Sequence, residues 1–195
     1  MIDDRNENRE IKMNQKNSLN IKLLIMEIVF TIVFVALDQL TKYLAILELK
    51  GKNPFVLINH VLELQYLENR GAAFGMLPDQ KIFFVIIAII ILFVILFVLI
   101  KAPDTKHYHL FRFLLVLIAS GAIGNMIDRL VRNYVVDFIY FSLIDFPIFN
   151  VADIYVTVAT TILIIALLFY YKENDFSFLT SKSQLTREVK YTDEK

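Results

Sequence analysis

The chain has 195 residues, 57% of them hydrophobic, and its 20 basic and 20 acidic residues cancel to a net charge of +0. A mean hydropathy of +0.57 exceeds that of an ordinary soluble domain, and the balanced charge gives no case for a nucleic-acid partner. With no cysteine, disulfides, thiolate metal sites and cysteine nucleophiles are excluded, and no carboxylate accompanies His107 and His109 at zinc-site spacing, so no metal site is predicted.

Residues 1–20 are polar and carry Arg5, Arg9, Lys12 and Lys16 close to the first apolar run. They read as a cytoplasmic tail. Four stretches, roughly 22–44, 82–100, 110–128 and 150–171, each approach the about 20 residues that cross a bilayer, and in lipid they must be helices. The first is too long for a cleavable signal peptide and is followed by three further spans. The chain is therefore read as one polytopic membrane domain over 21–171, flanked by the tail 1–20 and a second cytoplasmic tail, 172–195. Basic residues in the connection near Lys101 and Lys106, and Lys182, Arg187, Lys190 and Lys195 in the last segment, predict both termini on the cytoplasmic side of the membrane.

Two connections then lie outside. In 45–80, Leu62, Leu64 and Tyr66 alternate with Glu63 and Gln65, the period of a half-buried strand. Phe55-Val56-Leu57-Ile58 is its expected partner in a small sheet on the outer surface. Glu68 to Gly75 reads as a turn re-entering the membrane. The second connection, 130–149, is rich in aromatic residues and reads equally as a lid or as an interfacial anchor.

The polar groups of the spans gather at the outer ends: Asp38-Gln39-Leu40-Thr41-Lys42, Asn125-Met126-Ile127-Asp128-Arg129 and Asn150-Val151-Ala152-Asp153. The inner halves of the helices carry nothing comparable. Ionisable groups at the margin of a span are costly and usually functional, and two carboxylates that meet can divide acid and base work on water. Spacing nominates Asp128 and Asp153, each in an Asn-x-x-Asp pattern. Neighbours favour Asp137 with Asp153, because Arg129 beside Asp128 would hold it ionised in a structural ion pair, whereas Asp137 lies in an apolar run that suits a protonated acid. Taken singly, each residue has a plainer reading: Asp153 as a helix-terminal partner, Asp38 as a boundary residue, Asp145 as a loop residue, Gly121 and Gly124 as close-packing positions.

Five motifs in order carry a resemblance: Asp38 to Lys42, Asn69-Arg70-Gly71-Ala72-Ala73-Phe74, Gly124 to Arg129, Val135-Val136-Asp137-Phe138, and Phe149 to Asp153. Over roughly 25–170 the chain resembles the lipoprotein signal peptidases, or signal peptidase II, a family of bacterial membrane aspartic peptidases. The resemblance implies a mainly α membrane protein of four transmembrane helices, with a small extracytoplasmic β-sheet, or cradle, and an outer helical loop. It implies Asp137 and Asp153 as the catalytic dyad, with Asp38, Lys42, Asn69, Asn125, Arg129 and Asn150 supporting the site or gripping substrate, and no metal or cofactor. The implied substrate is a prolipoprotein signal peptide, cut just before a cysteine that already bears diacylglyceryl. Its apolar helix would enter from membrane lipid, and Gly121 and Gly124 would let it approach closely. A monomer suffices for this chemistry. Arg70 departs from the small polar residue more usual at its position. A proton-coupled transporter and a membrane scaffold are the competing readings; the first requires polar groups along the inner halves of the helices.

Overall fold

The computed structural model describes residues 21–71 and 80–179. The N-terminal tail, most of the C-terminal tail and the turn beyond Gly71 lie outside the described residues. Four long helices make the body: α1 (Ile21–Leu49), α2 (Lys81–Lys101), α3 (Lys106–Arg132) and α4 (Val151–Phe169). The last three are each long and apolar enough to cross a membrane. The first is 29 residues long, and it turns Ile25, Ile28, Val29, Ile32 and Val33 outward while burying Glu27, Asp38 and Lys42. That segregation lets a helix with charges lie in lipid, since the charges face the protein.

Three strands form one antiparallel sheet in the order β1 (Phe55–Ile58), β2 (Leu62–Asn69) and β3 (Val135–Tyr140). The first two are the expected pair. The third comes from the second connection, which was not expected to contribute a strand. Its helical content is a single 3-10 turn, Ser142–Ile144. In β3, Val136 and Phe138 pack on Ala45 and Leu49 of α1. This explains why α1 runs on past the Asp38–Lys42 motif to Leu49: its last two turns leave the apolar span to support the sheet.

β3 is tied at its far end to the chain that precedes α4. Phe138 and Ile139 donate backbone N–H groups to the Phe149 carbonyl at 3.0 and 2.9 Å, and Phe149 donates back to Ile139 at 3.0 Å. The loop 141–149 is thereby closed, and Asn150 emerges beside Asp137.

The helices pack through small residues. A Cβ on Gly121 would stand 2.5 Å from the Ala152 carbonyl oxygen, and one on Gly124 would overlap the Asp38 carboxylate. Both glycines are therefore filled by α4 and α1 of the protein itself. This corrects the expectation that they leave room for a substrate helix.

The far end of the bundle corrects a second expectation. Glu27 of α1 and Arg112 of α3 form a buried two-bond ion pair, Nε to Oε1 at 2.6 Å and Nη2 to Oε2 at 2.9 Å. Arg112 Nη1 also donates to the carbonyls of Leu99 and Ala102 at 2.9 and 2.6 Å, closing the C-terminal end of α2, whose last carbonyls have no partner within the helix. The halves read as unmarked thus carry a clamp joining three helices. Beyond α4, the 3-10 segment Glu173–Leu179 packs Phe176 and Phe178 against a core that includes Phe111 and Tyr171.

Candidate active site

The site lies where the sheet meets the ends of α3 and α4. Asn150 is the N-cap of α4 and Asp153 its third helical residue, in a reciprocal capping box. The Asn150 side-chain oxygen accepts from Asp153 N at 3.1 Å, and Asp153 Oδ2 accepts from Asn150 N at 3.1 Å. The Asn-x-x-Asp pattern is thus first a helix start. Asp38 adds to it by accepting the Ala152 N–H at 2.9 Å.

Asp137 projects from β3 on the face opposite Val136 and Phe138. Its strand partner is Leu67, and Asn69, two residues on, reaches it diagonally. Asn69 Nδ2 donates to Asp137 Oδ2 at 2.8 Å, and Asn150 Nδ2 donates to Oδ1 at 2.6 Å. Asn125 Nδ2 donates to Asp153 Oδ1 at 2.8 Å. Three amides thus point N–H groups at two carboxylates, and each amide is fixed from its other end. Asn69 Oδ1 accepts from Gly71 N at 3.0 Å. Asn125 Oδ1 accepts from Lys42 Nζ at 2.8 Å and Asn150 Nδ2 at 3.2 Å.

Lys42 has no solvent exposure and lies 2.9 Å from Asp38 and 3.2 Å from Asp128. Asp128 also accepts from Val136 N at 3.0 Å, from Gln39 Nε2 at 3.2 Å and from Arg132. It is saturated by these partners and forms no part of the cavity wall. Its cations are Lys42 and Arg132, which corrects the expected pairing with Arg129. Successive helical residues point in different directions, whereas Arg132 is one turn on.

Arg129 faces the other way. It donates to the carbonyls of Asn125 and Gly71, both at 3.3 Å, and its guanidinium stands 4.9 Å from the centre of the Phe84 ring.

A cavity of about 940 Å³ receives Asn69, Asn125, Arg129, Asp137 and Asp153. Asp137 is 1% exposed. Burial, reinforced by the nearby charge of Asp153, pushes its carboxyl up to about 7 against the opposing hydrogen bonds from Asn69 and Asn150. The arrangement therefore combines an acid able to keep its proton near neutrality with a second carboxylate at the positive end of a helix. Among the described residues no cluster has the make-up of a metal site.

Of the residues predicted from sequence, Asp137, Asp153, Asn69, Asn125 and Arg129 meet at the cavity, and Asn150, fully buried, touches Asp137 from behind it. Asp38, Lys42 and Asp128 form the buried layer behind it, and Gly121 and Gly124 are packing positions. Ile154, Thr157 and Val158 also line the cavity and were not anticipated. Part of their signal was available, since Thr157 lies four residues on from Asp153 and Val158 four on from Ile154. Gln39, which binds Asp38, the Gly124 carbonyl and Asp128, stood inside a recognised motif without a role.

Comparison with known proteins shows the family of the chain. The family model described as signal peptidase (SPase) II matches residues 30–169. A lipoprotein signal peptidase of Caldanaerobacter subterraneus subsp. tengcongensis is 44% identical over 139 residues, covering 71% of this chain and 92% of that protein. One from Streptococcus pyogenes serotype M5 is 43% identical over 148 residues, covering 74% and 92%. Two solved structures described as a bacterial membrane enzyme, at 2.3 and 1.9 Å resolution, each superpose with a TM-score of 0.66 at 38% identity. They cover 76% and 75% of this chain, and 92% and 94% of theirs.

Proposed function

The chain belongs to the signal peptidase II family, membrane aspartic peptidases that remove signal peptides from prolipoproteins, and from that premise we propose that Asp137 and Asp153 are its catalytic pair. The observation that carries this reading is the convergence of both carboxylates on one cavity, each held by asparagine N–H donors, with Asp128 turned away.

Asp137 is the acid and Asp153 the base. Water between them attacks the scissile carbonyl carbon and gives a proton to Asp153, while the carbonyl oxygen takes the proton of Asp137. As the carbon–nitrogen bond breaks, the leaving nitrogen takes the proton from Asp153, and a hydroxyl proton of the intermediate returns to Asp137. Both groups end as they began. Asn69, Asn125 and Asn150 hold the carboxylates in place; Lys42 holds Asn125, and Asp38 and Asp128 hold Lys42. Arg129, a cation on the cavity wall, grips the substrate backbone.

The substrate is a precursor whose cysteine already carries diacylglyceryl, cut immediately before that cysteine. The wall formed by Ile154, Thr157 and Val158 continues into the outward surface of α4, where Ile154 and Val158 are exposed. An apolar signal peptide and acyl chains can therefore reach the acids directly from lipid. The sheet end faces outward and both termini face the cytoplasm, with the membrane domain spanning 21–171 between two tails, and one copy suffices.

The test uses two synthetic precursors that differ only in diacylglyceryl on the cysteine, given to the purified protein in lipid. The lipidated one is expected to yield a product beginning at the cysteine by mass; equal cleavage of both would contradict the substrate assignment.

A further inference from the structure

The mouth of the cavity holds charges that the chemistry does not use. Glu68, on β2, accepts from Lys50 Nζ at 2.9 Å and Tyr66 OH at 3.2 Å. The hydrogen bond from Lys50 is the largest influence holding its carboxyl below the usual range. Glu68 is thus an anion whose charge Lys50 already balances. Arg70 stands beside it, Nη2 to Oε2 at 3.5 Å, with its guanidinium 5.9 Å from the centre of the Tyr134 ring. Its side chain is 56% exposed, and it lines the cavity with Glu68 and Gln65. Two cations against one carboxylate leave a surplus positive charge on this rim. Toward the other end of the β2–β3 ladder, Asp145 also lines the cavity and accepts from Tyr140 OH at 2.7 Å.

The polypeptide must cross this mouth in a fixed direction. With the signal peptide side placed along Ile154, Thr157 and Val158 toward lipid, as proposed above, the segment beyond the cysteine leaves past the sheet, by Arg70. A guanidinium presents five N–H donors in a planar fork suited to a carboxylate, and a 3.5 Å approach to Glu68 leaves most of them open. The Tyr134 ring beneath it favours the fork's position at the rim, which lowers the cost of ordering it on binding.

Resting on the reading of the site as a signal peptidase II centre, we infer that Arg70 is a specificity-determining residue that takes an acidic side chain in the first residues after the cleaved cysteine. The contact is solvent-exposed, so its effect is modest and sensitive to salt.

The experiment compares three diacylglyceryl-modified precursors carrying two aspartates, two serines or two lysines after the cysteine. They are given to the full chain and to its Arg70→Gln and Arg70→Glu variants. Cleavage of the serine precursor by the unaltered protein tests the underlying activity by itself. The unaltered protein is expected to favour the aspartate over the lysine precursor in kcat/KM by about threefold at low salt, and less at high salt. Arg70→Gln should remove the preference and Arg70→Glu should invert it. If the serine precursor is cleaved but the aspartate-to-lysine ratio is the same in all three proteins, or the unaltered protein shows no preference, the inference is overturned while the activity stands.

Discussion

Asp137 is buried on a strand, yet its two oxygens accept from two asparagine side chains, so it is held in one orientation whichever charge it carries. Burial pushes it up to about 7. The sign of the pH dependence follows. The acid role needs the protonated form, which is present below that value and lost above it, so kcat/KM should fall as pH rises through about 7. A rate profile on a lipidated precursor checks this, and a profile flat to strongly alkaline pH would remove Asp137 from the acid role. The apolar neighbourhood that singled out Asp137 in sequence is the burial seen around it, and Asp137, unlike Asp128, reaches the cavity. The partner of Asp128 was not legible in sequence. Adjacency on a helix does not bring side chains together, and its cations come from a different helix and from the next turn.

At the scale of elements, the start of α4 is where the site is assembled. The capping box, the Asp38 carboxylate and the close approach of Gly121 and Gly124 all fix that one helix terminus. Asn150→Ala should lose about 1 kcal/mol of stability from the cap. It should also lose cleavage beyond what stability explains, since the same amide orients Asp137. Gly121→Ala forces a Cβ against backbone and should cost about 1–3 kcal/mol; thermal unfolding in detergent, with cleavage measured below the transition, checks both variants. Unchanged melting of Gly121→Ala would mean that α3 and α4 are not in such close contact.

The strand β3 escaped the sequence for a physical reason. Val136 and Phe138 face α1 while Val135 and Asp137 face the cavity, and all four are buried. A strand covered on both sides loses the alternation that marked Leu62 to Tyr66. The four helices were legible because lipid demands long apolar runs. Their extensions past the apolar stretch, to Leu49 and Arg132, were not, because the sheet and not the membrane supports them.

In the whole molecule, the two ends of the bundle are built on different logic. The sheet end places carboxylates, a lysine and asparagines around a cavity. The other end buries Glu27 against Arg112, 85 residues apart in the chain, a separation at which no sequence pattern pairs them. That clamp joins α1, α2 and α3 and has no contact with the site. Glu27→Ala would leave Arg112 buried without its counter-ion, which costs about 3–5 kcal/mol. The expected result is a lower melting temperature in detergent with cleavage preserved below the transition. Loss of cleavage in a folded Glu27→Ala protein would instead couple this end to the chemistry.

The most direct test of the central claim is single-turnover cleavage of a diacylglyceryl-modified precursor by folded Asp137→Asn and Asp153→Asn proteins. Each is expected to be slower than the unaltered enzyme by at least about 10²–10⁴-fold. Cleavage by either variant at the unaltered rate would contradict the assignment of the pair.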